Sequence, residues 1–166
     1  PRPYRPTALQ LRVPTNAMLA TLILLQRAGQ RESGVMWYGT RDSQGNGTVA
    51  YVAAPRQRMT WGNYHISPQD LAQVVHGLSP DWKPLAQIHS HPGQGVEHSR
   101  YDDQMIGTRK ALSLVFPTYG QMSPEFFPSA VGVHEWQDDY WHLLTADETT
   151  RRIICTTGEV KAEDFR

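Results

Sequence analysis

The chain has 166 residues, with sixteen Lys plus Arg against sixteen Asp plus Glu and a formal net charge of zero. That length supports one domain with its own hydrophobic core, so a metal here would serve chemistry more than folding. The even charge balance gives no bulk field to draw the protein to nucleic acid or an anionic membrane, which leaves function to a site.

The opening PRPYRP reads as the start of an extended arm over residues 1–13, with a single domain over 14–166. No basic stretch followed by an apolar run and small residues opens the sequence, which points away from secretion. The longest apolar run, MLATLILL at 18–25, falls short of the ~20 residues a membrane span needs. It predicts a buried helix over 14–28, started by Pro14 or Thr15 and closed near Gly29. SGVMWYGT at 33–40 and TVAYVA at 48–53 are β-rich, and the DSQGNG between them predicts a hairpin. PRQRMTWGNYH at 55–65 reads as irregular. Ser67-Pro68-Gln69-Asp70 then supplies an N-cap, a proline at N1 and an acid at N3 for a short helix ending around Gly77.

Beyond Pro80 and Pro84, LAQIHSH at 85–91 predicts a strand that runs into the glycine loop PGQGVEH, with a helix beginning at Ser99. ALSLVF at 111–116 and SAVGVHEW at 129–136 predict two more strands. DYWHLL is the second arm of a hairpin across Gln137-Asp138, followed by a turn of helix near 147–151 and a last strand at RIIC. The one cysteine, Cys155, lies in that run and reads as buried packing. A single cysteine excludes a disulfide framework and a paired-thiolate zinc site, and makes the reducing cytoplasm the natural compartment. These elements describe an α/β domain with a mixed sheet.

Three of the seven histidines fall within AQIHSHPGQGVEHSRYDDQ, residues 86–104. Residues two apart in a strand share a face, so His89 and His91 would aim both imidazoles at one point while Ser90 faces away. Catalytic zinc usually takes three protein ligands and leaves a fourth position to water. Asp102, eleven residues after His91, could fold its carboxylate back across the glycine loop as the third. A plainer account also fits: Ser99-Arg100-Tyr101-Asp102 is a helix-capping pattern, and Ser67 to Asp70 repeats the spacing with no histidine beside it. Capping explains the second case completely, but it does not explain why the first sits beside His-X-His. The two roles are compatible, because a serine can cap a helix and still turn its hydroxyl to a site.

His89-X-His91, seven residues, Ser99, two residues, Asp102 resembles the JAMM motif of the MPN/JAB-domain zinc metalloproteases, including Pro92 after the second histidine. The family also has a glutamate just before a hydrophobic strand; Glu32 in ESGVMWYG fits, with Gly34 or Gly39 as the glycine that follows it. From Glu32 to Asp102 the resemblance covers about 70 residues. It implies an α+β MPN/JAB domain, a mixed sheet flanked by helices in a cytidine-deaminase-like architecture, with one Zn²⁺ per chain. His89, His91 and Asp102 would hold the metal, whose charge lowers the pKa of a bound water toward ~7 and polarises the scissile carbonyl. Glu32 would take the proton from that water and deliver it to the leaving amine. Ser99 would donate to the oxyanion, an effect often worth ~3 kcal/mol. Glu97 and His98 are assigned to the loop, facing solvent or substrate, Asp103 points away from Asp102, and His65, His76, His134 and His142 show no partner pattern.

The family cuts peptide or isopeptide bonds after the C-terminal glycine of ubiquitin and ubiquitin-like proteins. The implied partner is thus a ubiquitin-like protein with a C-terminal glycine, or its conjugates, with no nucleic acid and no membrane. The compact chain is similar to stand-alone bacterial JAB proteases of ubiquitin-like conjugation systems, including those linked to anti-phage defence. Residues 55–66 and 117–128 would wall a groove for the extended tail. The alternatives are a peptidase acting on a sulfur-carrier protein, whose site would look the same, and a non-catalytic MPN binding module, against which the full residue set argues.

Overall fold

The computed structural model describes residues 3–166, so Pro1 and Arg2 of the expected arm lie outside the described residues. The end of the arm joins the sheet, because Leu11 and Val13 have a core to enter and Leu11–Pro14 form a strand, β1. Pro14 leads into α1 (Thr15–Arg27), which buries Met18, Leu22 and Leu25 at helical spacing but exposes Leu19 and Ile23. The apolar run is therefore one face of a helix against a sheet and not a helix buried all round. Strands β2 (Gly34–Arg41) and β3 (Gly47–Ala54) form the expected hairpin, its turn held by Asp42, which accepts from the backbone of Gln44 and Asn46.

The segment expected to be irregular contains a small ribbon, β4 (Arg58–Met59) with β5 (Tyr64–His65), closed by Thr60 and Asn63 hydrogen bonds. Helix α2 (Pro68–His76) starts at Ser67, whose hydroxyl accepts from the Asp70 N–H. Strand β6 (Lys83–Ser90) begins before Pro84; a register shift opposite Tyr38 accommodates the proline. Helix α3 (Arg100–Met105) then crosses to β7 (Leu112–Phe116), parallel to β6. Strand β8 (Gly132–Gln137) starts three residues later than expected and pairs with β9 (Tyr140–Leu143). Their turn sits on Asp138 and Asp139, both at positive φ, and not on Gln137-Asp138. After α4 (Ala146–Arg152) and β10 (Ile153–Thr156), a further strand β11 (Lys161–Asp164) pairs with β3, so RIIC is not the last strand. Cys155 is exposed, not packed inside.

Among the described residues nine strands make one mixed sheet in the order β10-β1-β3-β2-β6-β7-β8-β9, with β11 beside β3. This is the α+β architecture expected. Helix α1 covers one face over Trp37, Leu114 and Phe116, while α2 packs on the other over Met36, Tyr38 and Tyr51. Gly34 pairs with His89 and Met36 with Gln87, so the alternation that sends Met36 toward α2 sends His89 there too. Among the described residues no helix is long and apolar enough to cross a membrane.

A buried ion pair ties the N-terminal arm and α4 to the sheet. The Arg152 guanidinium donates to both Glu135 carboxylate oxygens at 2.9 and 2.6 Å and to Tyr4 at 2.6 Å, and Tyr4 donates to Glu135 at 2.8 Å. Burial raises the Glu135 carboxyl, but the Arg152 and Tyr4 hydrogen bonds outweigh it and leave the pKa below its ordinary value. Arg152→Met, which strands that carboxylate, is expected to cost about 3 kcal/mol in urea unfolding at pH 7. Because the folded pKa is depressed, the pair's contribution is present above the ordinary glutamate range and disappears as pH falls through the folded value. The stability difference between the variant and wild type should therefore shrink in strong acid. An unchanged unfolding midpoint at pH 7 would show that the pair contributes nothing.

Candidate metal centre

The centre lies where the last residues of β6 meet the first turn of α3. His89 Nε2 and His91 Nε2 are 3.1 Å apart, His91 Nε2 and Asp102 Oδ2 3.1 Å, and His89 Nε2 and Asp102 Oδ2 3.3 Å. These three residues each offer one ligand atom to a common point and could hold a metal ion. Tetrahedral zinc with ligands at ~2.0–2.1 Å separates its donors by about 3.3 Å, so the donor triangle fits. The donor set, two imidazole nitrogens and a carboxylate oxygen, fits as well. His91 Nδ1 lies 2.9 Å from the Gly95 carbonyl oxygen, which makes Nδ1 the protonated nitrogen and leaves the Nε2 lone pair facing inward.

The helix cap and the candidate metal centre are one construction. Asp102 N donates to Ser99 Oγ at 3.1 Å, and Ser99 N donates to Asp102 Oδ2 at 2.7 Å, closing a capping box. The box aims Oδ2 at the histidines. Since Ser99 Oγ accepts from the helix, its own proton remains available to donate, and the residue is exposed. At Ser67 only the forward bond forms, and among the described residues no metal-ligating group includes Asp70.

Electrostatics separate the carboxylates. Burial raises Asp102, but hydrogen bonds from His89 and His91 and the Ser99 N–H outweigh it, and its pKa falls well below the carboxylate range. His89 is pushed down by burial against the pull of Asp102, which keeps the imidazole neutral. Burial also acts to lower His91, but its bonds to Asp102 and Gly95 dominate and raise it. Glu32 is buried and is pushed up to about 7, chiefly by burial, with the Asp102 charge adding to it and His91 opposing. A carboxyl with that pKa is matched to proton transfer at neutral pH. Its backbone N–H donates to the Thr60 carbonyl at 2.8 Å, which ties β2's entry to the β4–β5 ribbon.

Tyr64 is a site residue the sequence did not announce. Its ring stacks on His89 at 5.4 Å and lies over Gly34, where a Cβ would come within 2.7 Å of Tyr64 Cε2. Gly34, not Gly39, is thus the glycine at the centre; Gly39 serves a bulge against the Thr48 carbonyl. Gln57 is another: its amide donates to the Gly34 carbonyl and accepts from the Gly34 N–H, fixing the residue two beyond Glu32. Both lie in the stretch read as irregular, where no periodicity gave a signal. The two expected groove walls meet where the Tyr119 hydroxyl donates to the Trp61 carbonyl at 2.7 Å, with Trp61 itself exposed. A cleft of about 260 Å³ runs along the same sheet face past Met36, Tyr64, Leu71, Gln87 and Met105. Glu97 faces solvent as expected, whereas His98 does not: its side chain is buried against His134 and Ser113, and Asp103 bonds it.

The sequence family described as prokaryotic homologs of the JAB domain matches residues 15–136. No curated protein matches the chain. Among solved structures, the solution structure of protein DSY2949 from Desulfitobacterium hafniense is similar with a TM-score of 0.67 and 16% identity, over 90% of this chain and 95% of that one. That likeness is one of fold.

Proposed function

The chain belongs to the family of prokaryotic homologs of the JAB domain, and from that premise we propose that it is a zinc-dependent peptidase or isopeptidase cutting after the C-terminal glycine of a ubiquitin-like protein. The observation that carries the proposal is the convergence of His89, His91 and Asp102 on one point, with the buried Glu32 carboxyl close enough to feel two of them. Zinc held there would supply a Lewis acid for the scissile carbonyl and would acidify the attacking water. Glu32 removes the water's proton and passes it to the departing amine, a task suited to a carboxyl raised by burial. The Ser99 hydroxyl, free to donate, stabilises the oxyanion of the tetrahedral intermediate.

The surroundings of the centre support this choice of substrate. The ribbon β4–β5, through Tyr64 on His89, and the Tyr119 turn, through the His91 carbonyl, flank the centre and bond to each other, which favours a tail that enters extended with little side-chain bulk near the cut bond. A glycine-ended ubiquitin-like tail, from a cytoplasmic bacterial conjugation system linked to anti-phage defence, meets that requirement. A lysine side chain and a backbone amine are similar leaving groups, so both linear fusions and conjugates are substrates. Incubating the zinc-loaded protein with a linear fusion of such a protein and mapping the products by mass spectrometry tests this. The expected result is one cut after the glycine, abolished when a bulky residue replaces it, stopped by zinc chelators and indifferent to thiol reagents. Cuts scattered through unfolded peptides would overturn the glycine-specific reading.

A further inference from the structure

His98 sits on the loop between the metal ligands, immediately before the cap residue Ser99, yet its side chain is only 4% exposed. Its backbone N–H donates to His134 Nε2 at 3.2 Å, its Nδ1 lies 3.0 Å from Asp103 Oδ1 and its Nε2 lies 2.8 Å from Ser113 Oγ. The ring stacks flat on His134, with centroids 3.7 Å apart, and Trp141 meets it edge-on at 5.4 Å. His134 Nε2 accepts a hydrogen bond, so its proton is on Nδ1, which faces the Ser113 carbonyl at 3.3 Å. Asp103, His98 and Ser113 are linked in the order of a nucleophilic triad. Ser113, however, is fully buried in β7 between β6 and β8, where no substrate reaches its hydroxyl. The chain of bonds is a brace.

What it braces is the half of the metal centre that has least support of its own. Helix α3 has six residues, too few to hold itself, and while it buries Asp102, it exposes Tyr101 and Met105. The loop before it carries Gly93 and Gly95, around which a side chain would meet open space. The capping box joins Ser99 to Asp102 but moves with the turn, so it cannot fix the turn to the sheet. His98 can: it is bonded to Asp103 within the turn and to Ser113 and His134 in β7 and β8. We infer that His98 is a positioning residue, clamping the first turn of α3 onto the sheet so that Asp102 Oδ2 and Ser99 Oγ keep their places opposite His89 and His91. The inference rests on the zinc centre proposed above. The sequence alone gave the opposite assignment, because a histidine between a glycine loop and a serine cap has no pattern that places its partners fifteen and thirty-six residues away.

The test uses the full chain and two readouts, the zinc dissociation constant by competition with a chromogenic chelator, and kcat with KM on the linear fusion. His98→Phe keeps the stack on His134 and removes both ring hydrogen bonds. It should remain folded, bind zinc about 10–100-fold more weakly, and lose kcat with KM little changed, the usual penalty for loosening a ligand's support. His98→Asn returns a donor where Nδ1 stood and should recover most of the zinc affinity through Asp103. Asp103→Ala, at a half-exposed position, should reproduce the His98→Phe loss, and it decides the matter if His98→Phe does not fold. Wild-type zinc affinity and kcat in Asp103→Ala or in a folded His98→Phe would overturn the inference alone. Absence of zinc binding by the wild-type protein would overturn the proposed centre, and this inference with it.

Discussion

Glu32→Gln is expected to keep zinc and lose turnover by about 10²–10⁴-fold, the usual worth of a positioned general base. The glutamate is not one of the three converging donors, so metal content should stay at the wild-type level. A second, opposite effect accompanies the loss. Burial raises the Glu32 carboxyl to about 7 in the metal-free protein, so its ionisation opposes folding. The sign follows from linkage: with the folded pKa above the unfolded one, stability is lost as pH rises between them, and the cost is complete above about pH 7. At pH 8 the metal-free Glu32→Gln protein should therefore be more stable than metal-free wild type, by on the order of 2 kcal/mol. Bound zinc would draw the carboxyl down and narrow the difference. Product formation and thermal unfolding of the same preparations check both halves. Wild-type turnover in Glu32→Gln would remove the glutamate from the proton path, and a less stable variant would show that its burial costs nothing.

The contrast between Glu32 and Asp102 shows why part of the site was readable in the sequence. His-X-His, the serine and the aspartate were legible because strand alternation and the capping box are local rules, and both act within about fourteen residues. Glu32 was readable only through the family resemblance. By local rules it is a polar residue in a turn; its burial is tertiary, with its N–H on the Thr60 carbonyl of the ribbon and its carboxyl in the field of His91 and Asp102. Tyr64, Gln57 and His98 act through partners far away in the chain, and their segments carry no period. The same division holds for the fold. The α1 helix and the β2–β3 hairpin follow from periodicity and turn chemistry. Strands β1 and β11 do not, because each exists only by parallel pairing with distant strands, β1 with β10 and β3 and β11 with β3, non-local contacts that four residues of sequence cannot announce. Exposure at Cys155 follows from the same cause, since β10 is the outermost strand of the sheet path.

The double variant His89→Ala/His91→Ala should abolish zinc binding while the protein stays folded. A structural zinc site of four ligands is worth roughly 10–16 kcal/mol, so each ligand carries on the order of 3–4 kcal/mol, or a few hundred-fold in affinity. Losing two of three protein donors leaves Asp102 alone, whose carboxylate has the Ser99 N–H and little else to hold a cation against water. The fold has independent support. Its main core gathers Leu25, Trp37, Ile88, Leu114 and Phe116 on the α1 face of the sheet, away from the centre. His89 does leave a cost, since it is buried and Tyr64 stacks on it, and truncation opens a space beneath that ring. His91 is more exposed and lies past the strand's end, so its removal should cost less. The two single variants should thus lose zinc alike but differ in stability, with His89→Ala the weaker protein by about 1–2 kcal/mol. Elemental analysis after dialysis is expected to give one zinc per wild-type chain and none in the double variant, with circular dichroism unchanged by chelation. Full zinc occupancy in the double variant would place the metal elsewhere. A spectrum that collapses when wild-type protein is chelated would make zinc part of the fold and not a group added to it.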